Sequence, residues 1–135
     1  MNNENKHTKK FLPVWVWVVV LIEIVLVLFF SAGTMMSPSK FIPGVVEMDY
    51  VTQLYITRNI TAVLGLVLAL LFRSHKALFV ILIIRITTDL WDVFSVYAHD
   101  VEAIKSSVPM VIGLLIVIPL FVLRYLWKRI QLEKK

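Results

Sequence analysis

Five ionisable side chains stand inside stretches that are otherwise apolar: Glu23, Arg58, Arg85, Asp89 and Asp92. Carboxylates in such surroundings can hold or move a proton, guanidiniums can grip an anion, and the two together can close into ion pairs that lock helices. Their placement is costly. On the membrane-insertion scale an Arg or Asp at mid-bilayer costs roughly 2.5–3.5 kcal/mol, and each Leu, Ile, Val or Phe returns about 0.3–0.6. The segment Leu78–Val96 holds twelve such apolar residues. They return roughly 4–7 kcal/mol against about 8–10 for its three charges if all are central. Alone this segment is marginal in lipid, so its charges must turn toward partners, water or a protein interior.

Spacing tells where they turn. Arg85, Asp89, Asp92, Val96 and His99 follow i, i+4, i+7, i+11 and i+14, a single helical stripe. Arg85 and Asp89 can pair along the helix. Arg58, Thr61, Ala62, Gly65 and Ala69 form a second stripe, whose small residues let a neighbouring helix approach closely. Glu23 is the one ionisable group in its own apolar run. The expected pairing is Glu23–Arg58 and Arg85–Asp89, with Asp92 left over, to be protonated, hydrated or matched by a cation.

The elements that must position these groups follow from composition. The 135 residues are 59% hydrophobic and 17% charged, with no Cys, and the mean hydropathy is +0.84. That balance excludes a disordered chain, a disulfide scaffold and any iron–sulfur or thiol-redox centre built on the chain's own cysteines. Four stretches are long and apolar enough for a bilayer core, which needs about 20 helical residues. They lie near residues 12–30, 50–72, 76–98 and 108–127. Continuous apolar runs without alternation favour helices over a barrel. The expected fold is therefore all-α: a single four-transmembrane-helix domain over 12–127, flanked by basic tails at 1–11 and 128–135. The first stretch exceeds the usual apolar core of a signal peptide and is interrupted by Glu23, so it is read as a retained helix.

Lys and Arg counts set the topology. Ten basic residues fall on one side: Lys6, Lys9 and Lys10, then Arg73 and Lys76, then Arg124, Lys128, Arg129, Lys134 and Lys135. The other side has Lys40 and Lys105 beside Glu47, Asp49, Asp100 and Glu102. The positive-inside rule then places both termini in the cytoplasm. Trp15, Trp17, Tyr125 and Trp127 would form the inner aromatic belt, with Tyr50 and Tyr97 near the outer one. Counted at ~1.5 Å per residue, all five mid-span charges fall between the midplane and the outer third, which suggests one network. The net charge of +5 is spread in short runs between apolar stretches, a pattern of membrane topology and not of nucleic-acid contact. The run Lys128–Lys135 is read as a topology anchor that also touches anionic lipid.

Other signals are weaker. His7, His75 and His99 lie on different segments and make no metal site. No cofactor-binding motif appears. Asn59-Ile60-Thr61 is a glycosylation sequon, but it lies inside a span. Ser106-Ser107 before Val108-Pro109 reads as a helix cap with an early proline. Pro119 is expected to kink the last helix, and Gly113 to allow close packing. The connector Ser31–Asp49, with its Pro43-Gly44 turn, is either a lid over the polar cluster or a simple link.

The helix order, the Pro-containing first outer loop, Tyr55-x-x-Arg58 followed by Gly65, and Arg85-x-x-x-Asp89-x-x-Asp92 together resemble the DoxX-like superfamily of small four-helix membrane proteins, BphX-like members included. The resemblance covers Leu12 to Trp127. It implies a multi-pass protein of a bacterial cytoplasmic (inner) membrane, in some relatives linked to quinone or thiol-redox complexes.

Three functions fit these residues. The leading one is a binding or accessory protein with an intramembrane pocket for a small amphipathic or lipid-like ligand, lined by Glu23, Arg58, Arg85, Asp89 and Asp92, with the two arginines as anion anchors. The second is an enzyme or redox-complex subunit in which Asp89, Asp92 or Glu23 moves a proton for a quinone-, isoprenoid- or sterol-like substrate. The third, proton or cation transport, is disfavoured because four helices without an inverted repeat or broken-helix pair offer little alternating-access machinery. The bland alternative is a closed network that locks the helices. Membrane lipid is the expected partner, and a homo-oligomer or a membrane complex is compatible with each reading.

Overall fold

A backbone among apolar side chains must satisfy its own hydrogen bonds, and this chain does so with helices. The computed structural model describes residues 11–42 and 44–134 and contains no strand among them. Lys6, His7, Lys9 and Lys10 of the basic tail, Pro43 of the expected turn, and Lys135 lie outside the described residues.

Helix α1 runs Val14–Met36, starting after Pro13, whose carbonyl accepts from the Val16 and Trp17 amides. It continues beyond Phe30, where the apolar run was expected to end. The Ser31 and Thr34 hydroxyls donate to the Val27 and Phe30 carbonyls at 2.7 and 2.8 Å. This back-bonding satisfies small polar side chains inside a helix, so the Ser-Ala-Gly sequence does not end it. The short helix α2 spans Pro38–Phe41. Helix α3, Tyr50–Leu71, is capped by Asp49, whose carboxylate accepts the Thr52 amide at 2.7 Å. The Thr52 hydroxyl and that amide hold Asp49 below the usual carboxylate range. Helix α4, His75–Ala98, follows a tight link in which Arg73 takes a positive φ of 49° and Ser74 caps the Ala77 amide.

After α5, Glu102–Lys105, the chain enters a continuous helical rod over Val108–Leu132. It comprises α6 (Val108–Val111), a π-helical segment Ile112–Val117, and α7 (Ile118–Leu132). Ser107 takes the cap position without a side-chain bond, and Pro109 sits in the first turn. Pro119 sits in the first turn of α7, directly after the π-helical segment. It has no amide to donate, and its ring would crowd the Leu115 carbonyl in a regular α-helix. The turn ahead of it widens instead, with the Ile118 amide reaching the Gly113 carbonyl. Gly113 itself is not at a close approach, because a Cβ there would meet nothing within 4 Å. Gly65 is: a Cβ would lie 2.6 Å from Ile81 Cδ1, so α3 and α4 touch where the sequence anticipated a neighbour.

Among the described residues, three helices are long and apolar enough to cross a membrane: α1, α3 and the rod Val108–Leu132. Around the molecule α1 packs on α3, α3 on α4, α4 on α7, and α7 on α1. The half that holds the start of α1 and the end of α7 is solidly apolar, with Val16, Val20, Leu66, Leu78, Leu82 and Leu126 fully buried. The opposite half, beneath α2 and α5, contains the polar groups and a cavity. Outside, the helices present large apolar side chains such as Leu21, Val25, Leu64, Ile84, Trp91 and Phe121. An apolar perimeter around buried charge suits lipid and not water.

Candidate functional site

α4 supplies the polar groups as its stripe predicts. Arg85 and Asp89 are buried one turn apart, Arg85 Nη2 lying 2.8 Å from Asp89 Oδ1. Arg85 Nη1 also donates to Asn59 Oδ1 on α3 at 3.4 Å. One turn farther toward α5, Asp92 receives both terminal nitrogens of Arg58, at 3.1 and 2.6 Å. This fork-on-fork pair is half-exposed, at 36% and 42% for the two side chains. The Arg58 guanidinium also lies over the Tyr55 ring, 5.3 Å from its centroid.

The pairing expected from depth is therefore corrected. Arg58 takes Asp92 and not Glu23: it lies at a half-exposed edge of α3, where Asp92 of α4 accepts both of its terminal nitrogens, whereas Glu23 is buried inside. The acid left over is Glu23. It is 1% exposed, both of its carboxylate oxygens lack a hydrogen-bond partner, and it lies within electrostatic reach of Arg85 and Asp89 across the centre of the helices. Asp89 Oδ2 and the Nε atoms of Arg58 and Arg85 are likewise buried without a partner.

Next to this network lies a cavity of about 360 Å³. Its polar lining residues are Thr52, Tyr55 and Asn59 of α3 and Arg85, Asp89 and Asp92 of α4. The rest is almost wholly apolar, with walls that include Val27 and Phe30 of α1, Val96 of α4 and Val111 of α6. Phe41, Ile42 and Val45 close it from the connector side. Phe41 also packs edge-on against Phe29 and Phe30, so this connector is a cover and not a bare link. Of the five residues expected to line a pocket, three do. Glu23 and Arg58 stand behind the lining, each acting on it through a neighbour.

Sequence reasoning set Asn59 aside as an unused sequon, yet it is 2% exposed and bonded to Arg85. The buried face of α3 runs Thr52, Ile56, Asn59, Val63, Leu66, Ala69 and Leu70; it shares Ala69 with the expected Arg58–Ala69 stripe but is centred about one residue round from it. Thr61, assigned to that stripe, is exposed and donates to the Thr57 carbonyl. A count of 3.6-residue spacing from Asn59 rather than from Arg58 was the signal that would have found it.

No family profile, curated protein or solved structure matches this chain. The cavity and its charges are thus read on their own chemistry. Two guanidiniums with their terminal nitrogens engaged cannot also clamp an anion bidentately without breaking a pair. What the site offers is an apolar body with a few polar side chains in its lining.

Proposed function

We propose that this chain is a four-span integral membrane protein that binds a small amphipathic, lipid-like molecule in the cavity, as a binding or accessory protein. The observation that carries the reading is a largely apolar 360 Å³ cavity whose lining also holds the polar residues Thr52, Tyr55, Asn59, Arg85, Asp89 and Asp92. Ligand sites generally have this form, a mostly apolar concavity with a few placed polar groups.

α4 serves as the fourth span. Its 24 residues reach about 36 Å as a helix, more than a hydrocarbon core needs. Only its three acidic and basic mid-helix residues set it apart from the other spans. Arg85 and Asp89 are buried and Asp92 is paired, and the outward side chains include Val80, Ile83, Ile84, Leu90, Trp91 and Phe94. Four spans leave both chain ends on one side, and the basic residues gathered there assign it to the cytoplasm. A bacterial cytoplasmic membrane and kinship with the DoxX-like superfamily belong to the same proposal, resting on Tyr55, Arg58, Gly65, Arg85, Asp89 and Asp92.

The test is mass spectrometry of small molecules and lipids retained by the gently purified protein, compared with Val96→Trp, which fills the cavity from its wall. A retained amphiphile that disappears in the variant, with the melting temperature little changed, supports binding. An identical set of retained molecules in both proteins refutes it.

A further inference from the structure

The charged groups of the cavity are matched from within the protein, and that restricts what can bind there, an inference that rests on the proposed binding role. Arg85, Asp89 and Asp92 are the charged residues of the lining. Arg85 has one terminal nitrogen on Asp89 and the other on Asn59. Both oxygens of Asp92 accept from Arg58. Asp89 Oδ2 and the Glu23 oxygens are sealed among neighbouring atoms and offer nothing to the cavity. A cation brought to Asp92 therefore meets the Arg58 guanidinium, and an anion brought to Arg85 meets Asp89. What is left open is neutral. Asn59 turns its side-chain oxygen to Arg85, which can only donate, so its amide nitrogen points elsewhere with two N–H donors. Asn59 lines the cavity and is 2% exposed. Its nitrogen has no partner among the described residues, yet it is not sealed as Asp89 Oδ2 is.

We infer that the cavity selects an uncharged head group that accepts a hydrogen bond. The ligand class is a neutral single-chain lipid with an ester or hydroxyl oxygen, held by Asn59 Nδ2 with its chain along the apolar walls. The volume of about 360 Å³, near the small end for ligand pockets, suits one chain. An ion of either sign leaves its water for a space where every counter-charge has a nearer partner, and an unmatched buried charge is costly. A bare hydrocarbon gives up no hydration but leaves the Asn59 N–H groups without an acceptor. A neutral oxygen avoids both costs: it loses little on leaving water, and it satisfies a buried donor that the protein does not. The Arg85–Asp89 pair then has a positioning role. By holding the Asn59 oxygen, Arg85 fixes the rotation of the amide and keeps its N–H groups available.

The experiment uses the full chain in nanodiscs of zwitterionic phosphatidylcholine, loaded with tritiated methyl dodecanoate, dodecane, dodecyltrimethylammonium or dodecyl sulfate at matched mole fractions in the bilayer. The four probes share one chain, and the two ions keep their charge at any working pH. Val96→Trp nanodiscs give the baseline for probe dissolved in the lipid. The ester is expected to half-fill the Val96-dependent site at roughly fivefold lower mole fraction than dodecane, about the effect of one neutral hydrogen bond. Both ions should need at least about tenfold more than the ester. Asn59→Leu should bring the ester level with dodecane and leave dodecane bound. Because that change also strips a bond from Arg85, Asn59→Asp, which keeps an oxygen toward Arg85 and loses the N–H groups, is the second variant. It too should lose the ester's advantage. Either ion filling the Val96-dependent site as readily as the ester, or an ester no better than dodecane, overturns the neutral head group and keeps the binding role. An ester advantage that survives both Asn59 variants overturns the assignment to Asn59. No Val96-dependent binding of any probe overturns the head-group inference and the binding role alike.

Discussion

At the residue scale the two ion pairs look alike in sequence and differ in what breaking them does. Arg85 and Asp89 are almost wholly buried, whereas Arg58 and Asp92 are half-exposed. Removing one member of a buried pair leaves an uncompensated charge, typically a loss of about 3–5 kcal/mol. Arg85→Leu is therefore expected to lose about that much stability, and Arg85→Leu combined with Asp89→Leu to regain most of it. The interhelical Arg58–Asp92 pair should show a coupling energy of only about 1 kcal/mol in a double-mutant cycle with leucines, near the usual range for polar contacts between membrane helices. Denaturant unfolding in mixed micelles measures both. Equal losses for Arg85→Leu and Arg58→Leu would contradict the burial contrast. The identity of the five charged residues, and the Arg85–Asp89 pair, were legible from type and spacing alone. The partner of Arg58 was not, because depth orders residues along the membrane normal and says nothing about how each helix is turned. Depth favoured Glu23; α3 packs on both α1 and α4, and its rotation, which puts Arg58 at a half-exposed edge beside Asp92, decides for Asp92.

At the element scale periodicity located the long helices to within a few residues, yet it could not say how each is rotated about its axis. The face of α3 was placed by its one charged residue, Arg58. Arg58 is long enough to lie at the edge of the buried face and still reach Asp92, so the true centre is the neighbouring Asn59. Helix ends were misjudged for a related reason: hydropathy falls at Ser31, but back-bonded hydroxyls let α1 continue to Met36. Two of the helix glycines, Gly65 and Gly113, make a direct comparison. A side chain at Gly65 meets Ile81 at 2.6 Å, whereas one at Gly113 meets nothing within 4 Å. Gly65→Val is expected to cost about 1–3 kcal/mol by overpacking and to be partly rescued by Ile81→Ala. Gly113→Ala should be neutral or stabilising by up to about 1 kcal/mol. Thermal unfolding of the detergent-solubilised variants separates the two, and a costly Gly113→Ala would point to a role for the π-helical segment beyond accommodating Pro119.

At the scale of the whole molecule the chain divides its helices into a packed half and a hollow half, with Glu23, Arg85 and Asp89 at the boundary. The division follows from side-chain chemistry. Toward the chain ends the facing residues are aliphatic and interlock without a polar atom to satisfy, as Val20, Leu66, Leu82 and Val122 do. Past Glu23 the facing residues include ions whose fixed hydrogen-bond geometry keeps the helices from closing on each other, and α2 and its aromatic cluster cover the opening. In lipid, helix association gains little from the hydrophobic effect and depends on van der Waals contact, so the cost of truncating a side chain reports how full its surroundings are. Leu82→Ala, in the packed half, should lose about 1–3 kcal/mol, since it leaves a void lined by atoms that have no other contacts. Val111→Ala, on the wall of the existing cavity, should lose under about 1 kcal/mol, because it enlarges a space that is already there. Unfolding of both variants in the same micelles tests the division. A Val111→Ala loss equal to that of Leu82→Ala would mean that the hollow half closes into a solid core in the membrane, which would also remove the space that ligand binding requires.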